Sequence, residues 1–189
     1  MIDKKTLLTT ANLVSLTGFF LVLAGCVLMY MAADRSETAA GLAFIVAGRL
    51  ADLLDGTLAR HSGQTSTFGA LLDAALDKLA GLAIVIVLLL LDMAPLWAIV
   101  LIFLQNLSNI IATYMAKRRG QTKGLKPSMA GKYAMAVQNL ALGLYVVSYL
   151  VAGGSPAAGE AVQYLANAAI IIGTIVLGGL ASWGYFKRV

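Results

Sequence analysis

The chain has 189 residues, of which 60% are hydrophobic and only 12% are charged. Soluble globular domains are about 45–50% apolar and about 25% charged, so this composition excludes a soluble domain or a disordered tail. The single cysteine, Cys26, excludes an intramolecular disulfide. At about 20 residues per membrane-spanning helix, the length predicts an all-α integral membrane protein with six transmembrane helices. We attribute the net charge of +5 to membrane topology, and no nucleic-acid partner is expected.

Hydropathy and chain breakers predict the six helices within one domain that covers residues 1–189. The apolar run after Asn12 is longer than the core of a signal peptide, so we expect the first helix to be retained. Most Lys and Arg residues lie at the termini and in the second and fourth loops, with Arg35 alone on the opposite side. The positive-inside rule therefore predicts that both termini are cytoplasmic. The predicted helices cover about residues 11–33, 39–60, 68–91, 96–116, 129–151 and 161–185.

Acidic residues concentrate in the second and third predicted helices. Asp52 and Asp55 are three residues apart, and Asp73 and Asp77 are four apart, so each pair shares one helix face. A short loop makes the two helices antiparallel neighbours, which brings the four carboxylates together. Carboxylates in an apolar setting need compensation, and divalent cations such as Mg²⁺ supply it while keeping positions open for phosphate oxygens. Two such cations would clamp a phosphate or pyrophosphate.

Residues between the acids suit the same chemistry. Gly56 and Gly69 let a ligand or a facing helix approach the backbone, and Arg60 offers a fork of donors to phosphate oxygens. The alternative is that the acids form interhelical salt bridges with nearby basic residues such as Arg49, Arg60 and Lys78. The whole pattern reads Asp52-x2-Asp55-Gly56-x2-Ala59-Arg60-x8-Gly69-x3-Asp73-x3-Asp77.

This pattern resembles the signature of the CDP-alcohol phosphotransferase (CDP-alcohol phosphatidyltransferase) family and matches it at every fixed position. Members are integral membrane enzymes, typically homodimers. They transfer a substituted phosphate from a CDP-linked donor, in most cases CDP-diacylglycerol, to an alcohol and release CMP. The resemblance implies that two divalent cations, Mg²⁺ or Mn²⁺, are bound by Asp52, Asp55, Asp73 and Asp77. It further implies that Asp77 is the general base on the acceptor hydroxyl.

The resemblance also assigns the donor site. It implies that Gly56, Ala59 and Gly69 line the cytidine pocket and that Arg60 contacts the donor phosphates. Asn12 and its neighbour Thr10 precede the first apolar run, where family members often have Thr or Asn near the nucleotide. Helix N-capping is an equally good explanation for both.

Arg49 lies three residues before Asp52 and shares its helix face. For this arginine we favour an orienting ion pair over direct contact with substrate.

A basic cluster around the fourth loop is the candidate acceptor site. Attraction to anionic lipid headgroups and membrane topology explain most of it. A sharper interpretation is that one or two of Arg118, Lys126 and Lys132 bind a phosphorylated acceptor. The segment from Lys126 to Lys132 resembles one in phosphatidylglycerophosphate synthase-like and cardiolipin synthase-like members. The Arg-Glu pair common in helix four of phosphatidylglycerophosphate synthases is replaced here by a polar stretch, residues 105–109.

These features predict metal-dependent transfer of a phosphatidyl group from CDP-diacylglycerol to an alcohol in phospholipid synthesis. The site is expected to face the cytoplasm from the inner membrane, among membrane lipids. Glycerol 3-phosphate is the favoured acceptor and an inositol phosphate the second choice, with serine or another phospholipid left open. More remote alternatives are an intramembrane prenyltransferase and a cation transporter.

Overall fold

The computed structural model describes residues 10–62, 67–118 and 129–187. Within these ranges it leaves out the side chains of residues 10–12, 52–62, 67–71, 73–74, 112–113, 116–117 and 184–187. The described residues form helices and turns and contain no strand, which confirms the predicted all-α class. The helices are α1 (Thr10–Met31), α2 (Arg35–Ser62), α3 (Thr67–Leu90), α4 (Leu96–Arg118), α5 (Met129–Ala152), α6 (Pro156–Ile171) and α7 (Gly178–Lys187).

The last predicted helix is present as three helical parts. A π-helical segment, Ile172–Leu177, joins α6 to α7, and the residues at both junctions keep right-handed helical backbone angles. The prediction began this helix at residue 161, whereas α6 begins at Pro156. The earlier start arises because the Ser155 hydroxyl accepts a hydrogen bond from the Ala158 backbone N–H at 3.3 Å and Pro156 occupies the first turn.

Three stretches are long and apolar enough to cross a membrane by length and composition, namely Leu13–Met31, Met129–Ala152 and Pro156–Trp183. Only 33–39% of each is buried inside the protein, so most of their apolar surface faces outward. Such surface fits an integral membrane protein. The membrane crossing of α2, α3 and α4, the cytoplasmic termini, the homodimer and the single domain remain predictions.

The chain divides into two compact units, Met1–Leu91 and Asp92–Val189. In the first unit, α1 packs against both α2 and α3. Glycines allow α1 and α2 to approach closely, because a Cβ added at Gly48 would lie 2.5 Å from the Gly18 carbonyl oxygen. The core around this crossing includes Val22, Met29 and Leu88, which are almost completely buried.

The turn between α1 and α2 fixes the start of α2. Asp34 Oδ1 accepts hydrogen bonds from the Ser36 hydroxyl at 2.7 Å and the Glu37 backbone N–H at 2.9 Å. The Glu37 carboxylate in turn accepts from the Ala33 backbone N–H at 2.7 Å, so the two acids cap the helix reciprocally. The Ser36 hydroxyl, followed by the Glu37 N–H, holds the pKa of Asp34 below its usual value. The Asp34 cap therefore stabilises the folded protein at pH values above the ordinary Asp pKa of about 4. This stabilisation is lost as the pH falls through the lower pKa of Asp34 in the folded state.

In the second unit, α5 packs on α6 and on the π-helical segment. The buried Tyr145 hydroxyl donates to Asn167 Oδ1 at 2.7 Å, and the Ser148 hydroxyl donates to the Gly159 carbonyl oxygen at 2.9 Å. These bonds link α5 to α6 at two levels. The large side chains of this core are Tyr145 and Ile170, both essentially inaccessible to solvent.

Gly48→Ala is expected to destabilise the protein relative to a matched glycine replacement. The added methyl would press on the Gly18 backbone, and overpacking of this kind costs about 1–3 kcal/mol. Gly143→Ala is the control, since no atom lies within 4 Å of its added Cβ and both variants gain the same helix propensity. Thermal unfolding in detergent micelles measures the difference. Equal melting temperatures for the two variants would contradict the close crossing of α1 and α2.

Candidate active site

One side chain of the acidic signature is described in full, and it lies against an arginine. Arg49 Nη1 on α2 donates to Asp77 Oδ1 on α3 at 2.5 Å, forming a salt bridge between the two helices. The sequence predicted an orienting ion pair for Arg49 with Asp52, one turn away on its own helix. An ion pair is present, and the partner that the structure describes is Asp77 of the neighbouring helix. The side chain of Asp52 lies outside the described residues, so its pairing with Arg49 stays a prediction.

The surroundings of this salt bridge are set by α1. Arg49 follows Gly48, where α2 closely approaches α1, and it lines one small cavity together with Ser15 and Gly18 of α1. The side chain of Arg49 is 20% exposed and that of Asp77 is 40% exposed. The carboxylate therefore keeps more access to its surroundings than the guanidinium that binds it.

A small cavity adjoins the salt bridge. Its polar lining comes from Ser15 of α1 together with Arg49 and Asp77, and glycine and apolar side chains complete it. It has room for about one water molecule, too little for a nucleotide. Ser15 is a residue that sequence reasoning missed. Its only signal in the sequence is a hydroxyl in a mostly apolar stretch of α1, which it shares with Thr17.

The backbone of the other three acids lies where the sequence predicted. Asp52 and Asp55 are on α2, one and two turns beyond Arg49, and Asp73 is on α3, one turn before Asp77. Their side chains lie outside the described residues. The described side chains alone contain no group of three or more His, Cys, Asp or Glu that could hold a metal ion. This finding does not test the four-carboxylate site, because it covers only one of its members.

Residues predicted for the donor site all lie on the helices of the first unit. Gly56, Ala59 and Arg60 are on α2, Gly69 is on α3, and Asn12 is on α1, with their side-chain surroundings outside the described part. Because α1 already includes Thr10, Asn12 lies within the helix and is not its N-cap. The capping explanation therefore does not hold for Asn12.

Residues predicted for the acceptor site belong to the second unit. Arg118 at the end of α4 is exposed, and its guanidinium carbon lies 5.4 Å from the centre of the Tyr114 ring. Lys132 is exposed in the first turn of α5, and Lys126 lies outside the described residues. Arg118 and Lys132 are therefore both accessible to an anion, and neither is shown to bind one.

The polar stretch of α4 forms an interhelical network. Gln105 Nε2 donates to the Gly178 carbonyl oxygen at 2.9 Å and approaches Ser182 Oγ and Asn109 Oδ1, each at 3.3 Å. The Ser182 hydroxyl donates to Asn109 Oδ1 at 3.2 Å and lies 3.4 Å from Ser108 Oγ. These residues therefore join α4 to α7. In place of an Arg-Glu pair, the chain has uncharged groups that satisfy one another in an apolar bundle.

The chain is all-helical in its described part, has three helices that could cross a membrane, and carries an acidic signature on α2 and α3. Comparison with known families identifies the family to which these features belong. The family described as CDP-alcohol phosphatidyltransferase matches residues 8–178. The chain belongs to this family, which confirms the resemblance seen in its sequence.

Several curated proteins are similar over part of the chain. A probable phosphatidylglycerophosphate synthase of Mycobacterium tuberculosis is 36% identical over 99 residues, covering 52% of this chain and 46% of the relative. A CDP-diacylglycerol–glycerol-3-phosphate 3-phosphatidyltransferase of Haemophilus influenzae is 34% identical over 118 residues, covering 60% and 62%. An archaetidylinositol phosphate synthase of Pyrococcus horikoshii is 35% identical over 75 residues, covering 40% and 38%. The matches thus span about half the length of these relatives.

Gln105→Met is expected to lower stability, because it removes the donor that joins α4 to Gly178 and Ser182. Interhelical hydrogen bonds in membrane proteins contribute roughly 0.6–1.7 kcal/mol. Asn106→Met is the control, since the Asn106 amide donates to the Ile102 carbonyl oxygen of its own helix. Unfolding by a denaturing detergent compares the two. A loss in the Asn106 variant as large as in the Gln105 variant would argue against an interhelical role.

Proposed function

We propose that this protein transfers a phosphatidyl group from CDP-diacylglycerol to the hydroxyl of a small alcohol and releases CMP. The observation that carries the proposal is the complete acidic signature on α2 and α3 of a chain that belongs to the CDP-alcohol phosphatidyltransferase family. In this reaction the acceptor oxygen forms a bond to the phosphorus of the phosphatidyl group. The bond from that phosphorus to the oxygen of CMP breaks, and the hydroxyl proton must be accepted by a base.

In this proposal, Asp77 accepts the proton. Its carboxylate is partly accessible, and among the described residues its only hydrogen bond is made through Oδ1. The second oxygen, Oδ2, is therefore available to a hydroxyl. Direct attack by the acceptor is favoured over a covalent enzyme intermediate, because carboxylates committed to cations are poor nucleophiles.

Two divalent cations, Mg²⁺ or Mn²⁺, are proposed as cofactors bound by Asp52, Asp55, Asp73 and Asp77. Carboxylate oxygens are the ligands that these hard cations prefer. One pair of acids lies on α2 and the other pair lies on α3. When bound, the cations supply electrostatic stabilisation of charge on the transferring phosphate and the leaving CMP. Arg60, Gly56, Ala59, Gly69 and Asn12 are proposed to hold the donor on the same three helices.

Glycerol 3-phosphate is the proposed acceptor, supported by two relatives named for phosphatidylglycerophosphate or glycerol-3-phosphate chemistry. Its phosphate would be bound by cationic side chains such as Lys132, Arg118 and Lys126. An inositol phosphate is the second candidate. It is favoured by the relative named for archaetidylinositol phosphate and by the uncharged stretch of α4, in which Gln105 bonds to Ser182 of α7 in place of an Arg-Glu pair.

In the cell, we propose an inner-membrane homodimer whose site opens to the cytoplasm. The three long apolar helices and the concentration of Lys and Arg near the predicted cytoplasmic loops support this arrangement.

Wild-type protein in nanodiscs is expected to release CMP from labelled CDP-diacylglycerol only when Mg²⁺ or Mn²⁺ and an acceptor are present. The panel comprises glycerol 3-phosphate, inositol phosphate, inositol, serine and phosphatidylglycerol, with product lipids identified by mass spectrometry. Chelation by EDTA is expected to stop turnover and added Mn²⁺ to restore it. Turnover of prenyl diphosphates, or metal-ion flux without CMP formation, would overturn the proposal.

Asp77→Asn is expected to lower kcat by about 10²–10⁴-fold, the range for removal of a general acid or base. Asp92→Asn is the matched control, because the same change is made at an exposed carboxylate in the turn after α3. The control should retain wild-type kcat. Full activity in the Asp77 variant would contradict its assignment as the base.

A further inference from the structure

The salt bridge between α2 and α3 places a permanent cation on the carboxylate proposed as the base. Arg49 Nη1 donates to one oxygen of Asp77, Oδ1, while Oδ2 has no hydrogen-bond partner among the described residues. Among the residues that the structure describes, the arginine therefore occupies one oxygen of the carboxylate and the other oxygen makes no hydrogen bond. This asymmetry is what an orienting group would impose on a base.

The arginine itself is held by its surroundings. Its side chain is 20% exposed, and its buried Nε has no partner among the described groups. Within the described part of the chain, the salt bridge to Asp77 is therefore the contact that anchors the guanidinium. It lies against α3 at Gly81, where an added Cβ would come within 3.5 Å of Arg49 Nη2. Guanidinium stays charged at any physiological pH and its planar fork has fixed geometry. A rigid, permanent donor suits the task of fixing one carboxylate orientation.

We propose that Arg49 is a positioning residue for the transfer reaction. It holds the Asp77 carboxylate in one orientation through Oδ1, acts through Asp77, and makes no contact with substrate. The inference rests on the proposed function, in which Asp77 receives the acceptor proton.

A purely structural role is the competing explanation, in which the salt bridge only ties α2 to α3. The two roles differ in what they leave intact. If Arg49 positions the base, its loss slows the chemical step while the folded protein still binds donor and cations. If Arg49 only ties the helices, stability, cation binding and turnover decline together.

The experiment compares wild type, Arg49→Gln, Arg49→Lys and the control Arg35→Gln, which removes an arginine from the other end of α2. Arg49→Gln is expected to lower kcat about 10–100-fold, the usual effect of losing a group that orients a catalytic ligand, with KM for CDP-diacylglycerol within about threefold of wild type. Arg49→Lys keeps the charge and is expected to recover part of the lost kcat. Arg35→Gln should match wild type.

Binding of Mn²⁺, followed by electron paramagnetic resonance without substrate, gives a readout independent of turnover. Removing a cation beside a carboxylate strengthens the Coulomb attraction between that carboxylate and Mn²⁺. If the helices stay packed, the Kd of Arg49→Gln for Mn²⁺ is therefore expected to equal or fall below the wild-type value. A lower kcat with undiminished Mn²⁺ affinity and an unchanged melting temperature supports positioning.

Three results would overturn the inference. They are wild-type kcat in Arg49→Gln, no recovery in Arg49→Lys, or a joint loss of kcat, Mn²⁺ affinity and melting temperature. If Arg49→Gln fails to fold, Arg49→Met, whose side chain an apolar bundle accommodates, is judged by the same criteria. Failure of the proposed function is recognised separately, because wild-type protein would then release no CMP from CDP-diacylglycerol.

Discussion

A carboxylate between apolar helices is stable only when a compensating charge or hydrogen bond reaches it. In this protein the Arg49 guanidinium reaches across from α2 to the Asp77 carboxylate on α3. The close approach of α1 to α2 at Gly48 lies next to the arginine, and the register of α3 brings Asp77 opposite to it. The close packing of α1 on α2 at Gly48 and the neutralisation of Asp77 by Arg49 thus depend on adjacent residues of α2.

The two units solve the problem of polar groups in an apolar bundle differently. The first unit uses charges, with four acids on α2 and α3 and, in the described part, a salt bridge between Arg49 and Asp77. The second unit uses neutral hydrogen bonds, with Gln105 and Ser182 joining α4 to α7 and Tyr145 joining α5 to α6. Charged side chains suit a reaction at phosphorus, whereas neutral hydrogen bonds suit the packing of one helix against another. This division favours the first unit as the place where chemistry occurs.

The helices could be predicted from the sequence because long apolar runs are separated by polar breakers. Most boundaries agree within a few residues, and the start of α6 was missed because a Gly-Gly-Ser-Pro turn also contains a helix cap. The helical spacing of the acids was equally predictable, since it needs only the local period of three to four residues. The partner of Arg49 was not, because it lies 28 residues away on another helix. Local spacing pointed to Asp52, whose side chain lies outside the described residues, whereas the pairing with Asp77 is set by tertiary packing.

For the polar stretch of α4, too, the local feature was predictable from the sequence and the long-range partners were not. The sequence showed that residues 105–109 form a polar stretch, but their partners on α7 are more than 70 residues away. The π-helical segment had no sequence signal at all, since its residues continue the apolar pattern of the helix around it. Long-range partners and local changes of helical winding are decided by packing across helices, which a one-dimensional pattern does not contain.

In the proposed mechanism, the acids of α2 and α3 together bind two divalent cations, and Asp77 is one of their ligands. Anomalous X-ray scattering from crystals grown with Mn²⁺ tests it most directly. The account predicts anomalous density in contact with the Asp77 carboxylate and with at least one acid of α2, Asp52 or Asp55. Mn²⁺ bound elsewhere, with no density at Asp77, would contradict it.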